Sequence, residues 1–113
     1  MDLDFHQRFK DSIEAIDKWG EAHALARAKS YYMQEMRGTI LARLQLASGE
    51  TVVSKSELIA RASEDFEKHL KETAEAIQKE HSLKNKLEVA KAKFEGNRSL
   101  NSKEKKMLDK IGE

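Results

Sequence analysis

From Ser63 to Glu95 the chain carries a one-sided pattern. Phe66, Leu70, Thr73, Ala74, Ile77, Leu83, Leu87, Ala90 and Phe94 recur at helical spacing and mark one face. Intervals of three and four residues are those of an amphipathic helix. The residues between them are mostly Lys, Glu, Gln and Asn, which are tolerated in helices and keep the opposite face in water. The stretch holds neither proline nor glycine, and as a helix it makes a rod of roughly 48 Å. An earlier stripe runs Phe5, Phe9, Ile13, Ile16, Trp19, then Ala22, Leu25, Ala26, Tyr32, Met33, Met36, Ile40 and Leu44. It predicts a helix over 3–47, either unbroken or bent at Gly20, with Gly38 as a second weak point. Asp4 with Gln7 resembles a capping box at its start.

Between the stripes lies LASGETVVSKSE. Gly49 suits a left-handed helix end. Thr51, Val52 and Val53 are β-branched and expected to be extended. Ser54 with Glu57 reads as a capping box, with Leu58, Ile59 and Ala60 forming a short helix or leading straight into the rod. The loop is thus expected at 48–54 and the second helix at 55–95. Gly96-Asn97 reads as its C-terminal cap, and Asn101 with Glu104 as the start of a short helix over 102–111 bearing Leu100, Met107, Leu108 and Ile111. The expected fold class is all-α: two long antiparallel amphipathic helices forming a helical hairpin, with a short C-terminal helix, in one domain over 1–113. A lone hairpin leaves much of each stripe in water. The pattern therefore predicts a homo-oligomer, most simply a dimer forming a bundle through Ile77, Leu83, Leu87 and Phe94.

Composition strengthens the helical reading. Proline is absent, only five glycines occur, and charged residues make up 36% against 6% aromatics, too polar for a thick core. The chain has no cysteine, which removes disulfides and thiolate chemistry. No apolar run approaches a membrane span, and the acidic, mixed N-terminus is unlike a secretory signal; an intracellular protein, in the cytoplasm, is expected. The net charge of +1 hides an alternation. Residues 1–26 carry six acids and three bases, 27–49 one acid and four bases, 50–80 eight acids and five bases, and 81–110 four acids and nine bases.

Candidate chemistry is sparse. His6, His23, His69 and His81 form no pair four residues apart, and no Glu-x-x-His occurs; they read as polar residues on helix surfaces. No metal site and no cofactor is expected. Neither a nucleophile elbow, nor a P-loop, nor a dinucleotide-binding glycine pattern is present, so the chain does not read as an enzyme. Trp19 and Tyr32 continue the apolar spacing and read as core or interface, whereas Tyr31 lies off it and reads as exposed. The strongest hint is the basic C-terminal part. Lys84, Lys91, Lys93, Arg98, Lys105 and Lys106 are candidate phosphate contacts, with Lys86, Lys103 and Lys110 nearby. The alternative is a solvated face answering the acidic segment of a neighbouring chain.

The stretches AHALARAKSYYMQEMRGTILARL, ASEDFEKHLKETAEAI and AKAKFEGNRSLNS add a resemblance. An Ala-rich helix runs into Tyr31 and Tyr32, and Arg98, Ser99 and Ser102 follow the second helix. Over residues 22–105 this resembles small helical bacteriophage early-region proteins encoded near single-strand annealing recombinases. Phe94 stands where that pattern has a Trp-like position, and Gly96 precedes Arg98. The resemblance implies a phage origin and a non-enzymatic accessory role. Two functions are expected from it and the charge pattern together. One is an accessory in DNA recombination or replication that contacts DNA, or a recombination protein, through the basic helix. The other is an inhibitor or adaptor that blocks a host enzyme such as a defence nuclease, docking through Glu64, Asp65, Glu67, Glu72 and Glu75. A structural assembly factor ranks behind both.

Overall fold

A computed structural model describes residues 2–111; within that range the side chains of residues 2, 3, 101, 104 and 109–111 are not described. Three helices follow in order, α1 (Asp2–Ala47), α2 (Val53–Arg61) and α3 (Glu64–Ile111), with no strand among the described residues. The chain is all-α. None of the helices is long and apolar enough to cross a membrane, among the described residues.

α1 is unbroken through Gly20 and Gly38. Both glycines are tolerated because each costs only about 1 kcal/mol once a helix is propagating. Gln7 does not close a capping box with Asp4. It reaches forward to the Asp11 carboxylate (2.8 Å), and Asp4 sits inside the helix with its carbonyl accepting from the Arg8 Nε–H. At the other end Gly49 adopts φ 70°, the left-handed conformation that closes a helix end without a Cβ clash. The Ser48 hydroxyl donates to the Gln45 carbonyl and accepts from the Glu50 N–H.

The connection is shorter than the sequence implies. Val53, expected in an extended run, opens α2 after the extended N-cap Val52, which offers no side-chain cap. Ser54 and Glu57 form no capping box either: Glu57 turns forward and pairs with Arg61 at 2.9 Å. The capping serine is Ser63. Its Oγ accepts from the Phe66 N–H at 3.2 Å and donates to the Ala60 carbonyl at 2.7 Å, which ends α2 and starts α3 in one residue.

α3 then corrects the expected helix end. It passes through Gly96 and Asn97 to Ile111, so there is no separate helix over 102–111. Asn97 does not cap; its side chain is occupied elsewhere, by Ser12. The Asn101–Glu104 pair expected to start that helix lies outside the described side chains, as does Ile111.

The helices are grouped into two units, Met1–His23 with Ser82–Glu113 (the terminal unit) and Ala24–His81 (the central unit). In the terminal unit the positions turned inward are Phe5, Phe9, Ser12, Ile16 and Trp19 on α1 and Leu83, Leu87, Ala90, Phe94 and Asn97 on α3. Alternating four- and three-residue steps make this a heptad seam. Phe9 meets Phe94 with ring centroids 5.2 Å apart. The Lys86 ammonium lies 4.7 Å from the Trp19 ring, and a Cβ on Gly20 would stand 3.8 Å from Leu87 Cδ1.

In the central unit, Ala26, Ser30, Met33, Ile40 and Leu44 on α1, and Phe66, His69, Thr73 and Ala76 on α3, keep the same heptad spacing, with one full seven-residue step from Met33 to Ile40. Arg37 lays its guanidinium 5.8 Å from the Phe66 ring. His69, read from sequence as a surface residue, is 6% exposed, its Nε2 lying 3.4 Å from Thr73 Oγ1. That hydroxyl also donates to the His69 carbonyl at 2.8 Å.

Several stripe positions are thereby reassigned. Leu70 and Ala74 are exposed, as are Ile13, Leu25 and Tyr32. Ser12 and Ser30 take seam positions in their place. Among the described residues only one large apolar side chain, Phe66, is buried; the other buried apolar residues are alanines.

Candidate functional site

The continuity of α3 determines which cations share a face. Lys84, Lys91, Arg98 and Lys105 are spaced by seven, nearly two full turns, so they fall on one line along the helix. Glu88 and Glu95 stand four residues after the first two of them, and Arg98 lies 4.0 Å from Glu95 with both side chains about two-thirds exposed. That line is therefore mixed in sign. Lys106 falls off it, and Lys93 belongs to the other edge of the seam together with Lys86. All six cations proposed from sequence are exposed, but they do not form one cluster.

The other edge opens into a groove inside the terminal unit. It has a volume of about 630 Å³ and is lined from α1 by Arg8, Asp11 and Ser12 and from α3 by Lys93, Asn97 and Lys103, among others. At its base the Asn97 Nδ2–H donates to Ser12 Oγ at 3.0 Å. A smaller hollow of about 280 Å³ lies between Trp19 on α1 and Lys86, Val89 and Lys93 on α3, so Lys93 borders both. Among the described residues the groove thus carries three cations, Arg8, Lys93 and Lys103, and one acid, Asp11, and the smaller hollow adds Lys86. The Asp11 carboxylate already accepts a hydrogen bond from Gln7.

Trp19 carries two ammonium groups, Lys86 at 4.7 Å and Lys18 at 4.8 Å from the ring centre. Both are within cation–π range.

The acidic residues have a different setting. Glu64, Asp65 and Glu67 occupy the first turn of α3, where carboxylates are favoured by the positive end of the helix dipole. Glu72 pairs with Lys68 at 3.9 Å, and Glu75 is exposed. Lys68 and Lys71 stand among these acids. The residues expected to meet a second copy are all half-buried. Phe94 packs on Phe9 and Leu87 lies beside Gly20, so both spend apolar surface within their own chain; Ile77 and Leu83 share the half-buried class. Among the described residues no three His, Asp or Glu side chains converge.

Sequence reasoning missed Arg8, Ser12 and Lys18. Arg8 and Ser12 lie some 85 positions from the α3 residues they join, and no local pattern marks such a meeting. No protein-family model, curated protein or solved structure matches this chain.

Proposed function

We propose that this chain is a non-enzymatic accessory protein that binds nucleic acid through the cationic surface of its terminal unit, in DNA recombination or replication. The observation that carries the reading is the groove, where three cations from both long helices, Arg8, Lys93 and Lys103, line one wall set with the single carboxylate of Asp11, with Lys86 in the adjoining hollow. Flexible lysines around an open hollow suit phosphates, which are contacted as point charges without reading sequence. The resemblance to phage early-region proteins supplies the biological setting.

The finer architecture belongs to the same proposal. The two long helices form an antiparallel hairpin, and the hairpin pairs with a second copy. What supports this is the thin core, with Phe66 as its one large buried apolar residue, beside exposed Leu25, Tyr32, Leu58 and Leu70. Apolar surface of this kind usually marks an interface.

Fluorescence polarisation with labelled DNA tests the function. Binding at about 50 mM salt that falls steeply toward about 200 mM is the expected result. No binding at the lower salt sinks the reading. The alternative, an inhibitor or adaptor docking on a host enzyme such as a nuclease, rests on the exposed Glu64, Asp65, Glu67, Glu72 and Glu75. It predicts a stoichiometric protein partner that is lost when these acids become lysines.

A further inference from the structure

We infer that the groove of the terminal unit is a site for single-stranded nucleic acid, holding a phosphate over the Ser12–Asn97 pair and the adjoining base against the apolar wall of α3. This rests on the nucleic-acid reading above and narrows it to one strand and one place.

The α3 wall alternates in kind. Lys86, Val89, Lys93, Gly96, Leu100 and Lys103 follow at steps of three and four, so they share one side of the helix. Its three lysines are separated first by Val89 and then by Gly96 and Leu100, and Val89 and Leu100 are each 54% exposed. A single strand presents both of the surfaces this wall fits, a charged backbone and unstacked bases with apolar faces. In a duplex the base faces are stacked away, leaving the backbone and the base edges in the grooves.

The floor supplies direction. Asn97 uses one amide hydrogen on Ser12, leaving the second amide hydrogen to donate, and the Ser12 hydroxyl, accepting from Asn97, keeps its own hydrogen. These two neutral donors share the groove lining with Arg8, Lys93 and Lys103, and of the two the half-buried Asn97 amide is the more accessible to a phosphodiester oxygen. Gly96 borders the groove, and a Cβ there would meet nothing within 4 Å. The Lys18 and Lys86 ammonium groups on Trp19 would turn toward an incoming backbone. Trp19 is the only tryptophan in the chain, so its emission reports that movement.

The experiment titrates the full chain with short oligothymidylate, oligouridylate and duplex DNA, following polarisation and Trp19 emission. Arg8→Ala with Lys93→Ala should weaken single-strand binding by about tenfold, and duplex binding far less. Lys29→Ala with Lys55→Ala, an equal charge change in the central unit, should leave both near the parent values. Emission should change on oligothymidylate addition and lose that response in Lys86→Ala. DNA and RNA arms of equal strength would mean that the site reads the phosphodiester alone, and this supports the inference. Single-strand binding that survives the Arg8/Lys93 change with unaltered emission overturns the inference and leaves the broader function standing. Equal loss in the two double variants overturns it as well, because net charge would then suffice. Absence of binding to any nucleic acid overturns both. Retention on phosphatidylserine vesicles without oligonucleotide binding would assign the lysine-and-apolar wall to a lipid surface instead.

Discussion

Asn97 and Ser12 are 85 positions apart in sequence and joined by one hydrogen bond, Nδ2 to Oγ at 3.0 Å. The bond ties the C-terminal part of α3 to the first part of α1. It lies within a helix that runs on where the sequence announces an end: neither Gly96 nor Asn97 takes the left-handed conformation that a cap needs, and the Asn97 side chain packs across the seam. Asn97→Ala should leave the nearly buried Ser12 hydroxyl without its partner and cost about 1–2 kcal/mol in urea unfolding. Replacing both, Ser12→Ala with Asn97→Leu, should recover most of that loss. A double-mutant cycle showing no coupling would disprove the link.

Phe66 is 3% exposed and is the one large apolar side chain buried among the described residues. Phe66→Ala should therefore cost about 3–5 kcal/mol, much of the stability of a domain this small. Leu46→Ala, at a position 84% exposed, should change stability by no more than about 0.5 kcal/mol. Thermal unfolding followed by circular dichroism checks both.

Two glycines should respond in opposite directions. Gly38 is helical and a Cβ there would meet nothing within 4 Å, so Gly38→Ala should stabilise by about 0.5–1 kcal/mol. Gly49 has φ 70°, and Gly49→Ala should destabilise by about 1–2 kcal/mol. Equal and positive shifts in melting temperature for both would mean that the α1 terminus is not left-handed.

The capping residues offer a direct contrast. Ser63→Ala removes the acceptor of the Phe66 N–H and should cost about 1 kcal/mol. Ser54→Ala, at the position the sequence pattern favours, should be nearly neutral, since the N-cap of α2 is Val52. The reverse order of effects would restore the Ser54 cap.

Leu87→Asp places a charge at a half-buried seam position beside Gly20 and should unfold the terminal unit or dissociate the proposed dimer. Lys86→Ala removes only the ammonium over Trp19, about 0.5–1 kcal/mol at an exposed site. Light scattering at micromolar concentration tests the assembly: a stable 12.9 kDa monomer would refute the dimer.

The sequence by itself determined that the chain is helical, that Gly49 ends the first long helix, and that basic charge concentrates in the last third. Each of these is a local property, read from propensity, spacing or composition within a few turns. It also marked most apolar seam residues, including Phe9, Ile16, Trp19, Leu87 and Phe94. Tertiary structure decided the rest. Ser12, Ser30, His69 and Asn97 occupy the seam although the pattern favours Leu25, Tyr32 and Leu70, which lie outside it. A heptad seam repeats every 3.5 residues and accepts a polar side chain whose hydrogen bond is met, across the seam for Ser12 and Asn97 and one turn away on the same helix for Ser30 (Gln34) and His69 (Thr73). Hydrophobicity along one chain cannot register a partner that stands 85 positions away. For the same reason the groove was hidden: Arg8 and Ser12 become neighbours of Lys93 and Lys103 only when α1 and α3 meet.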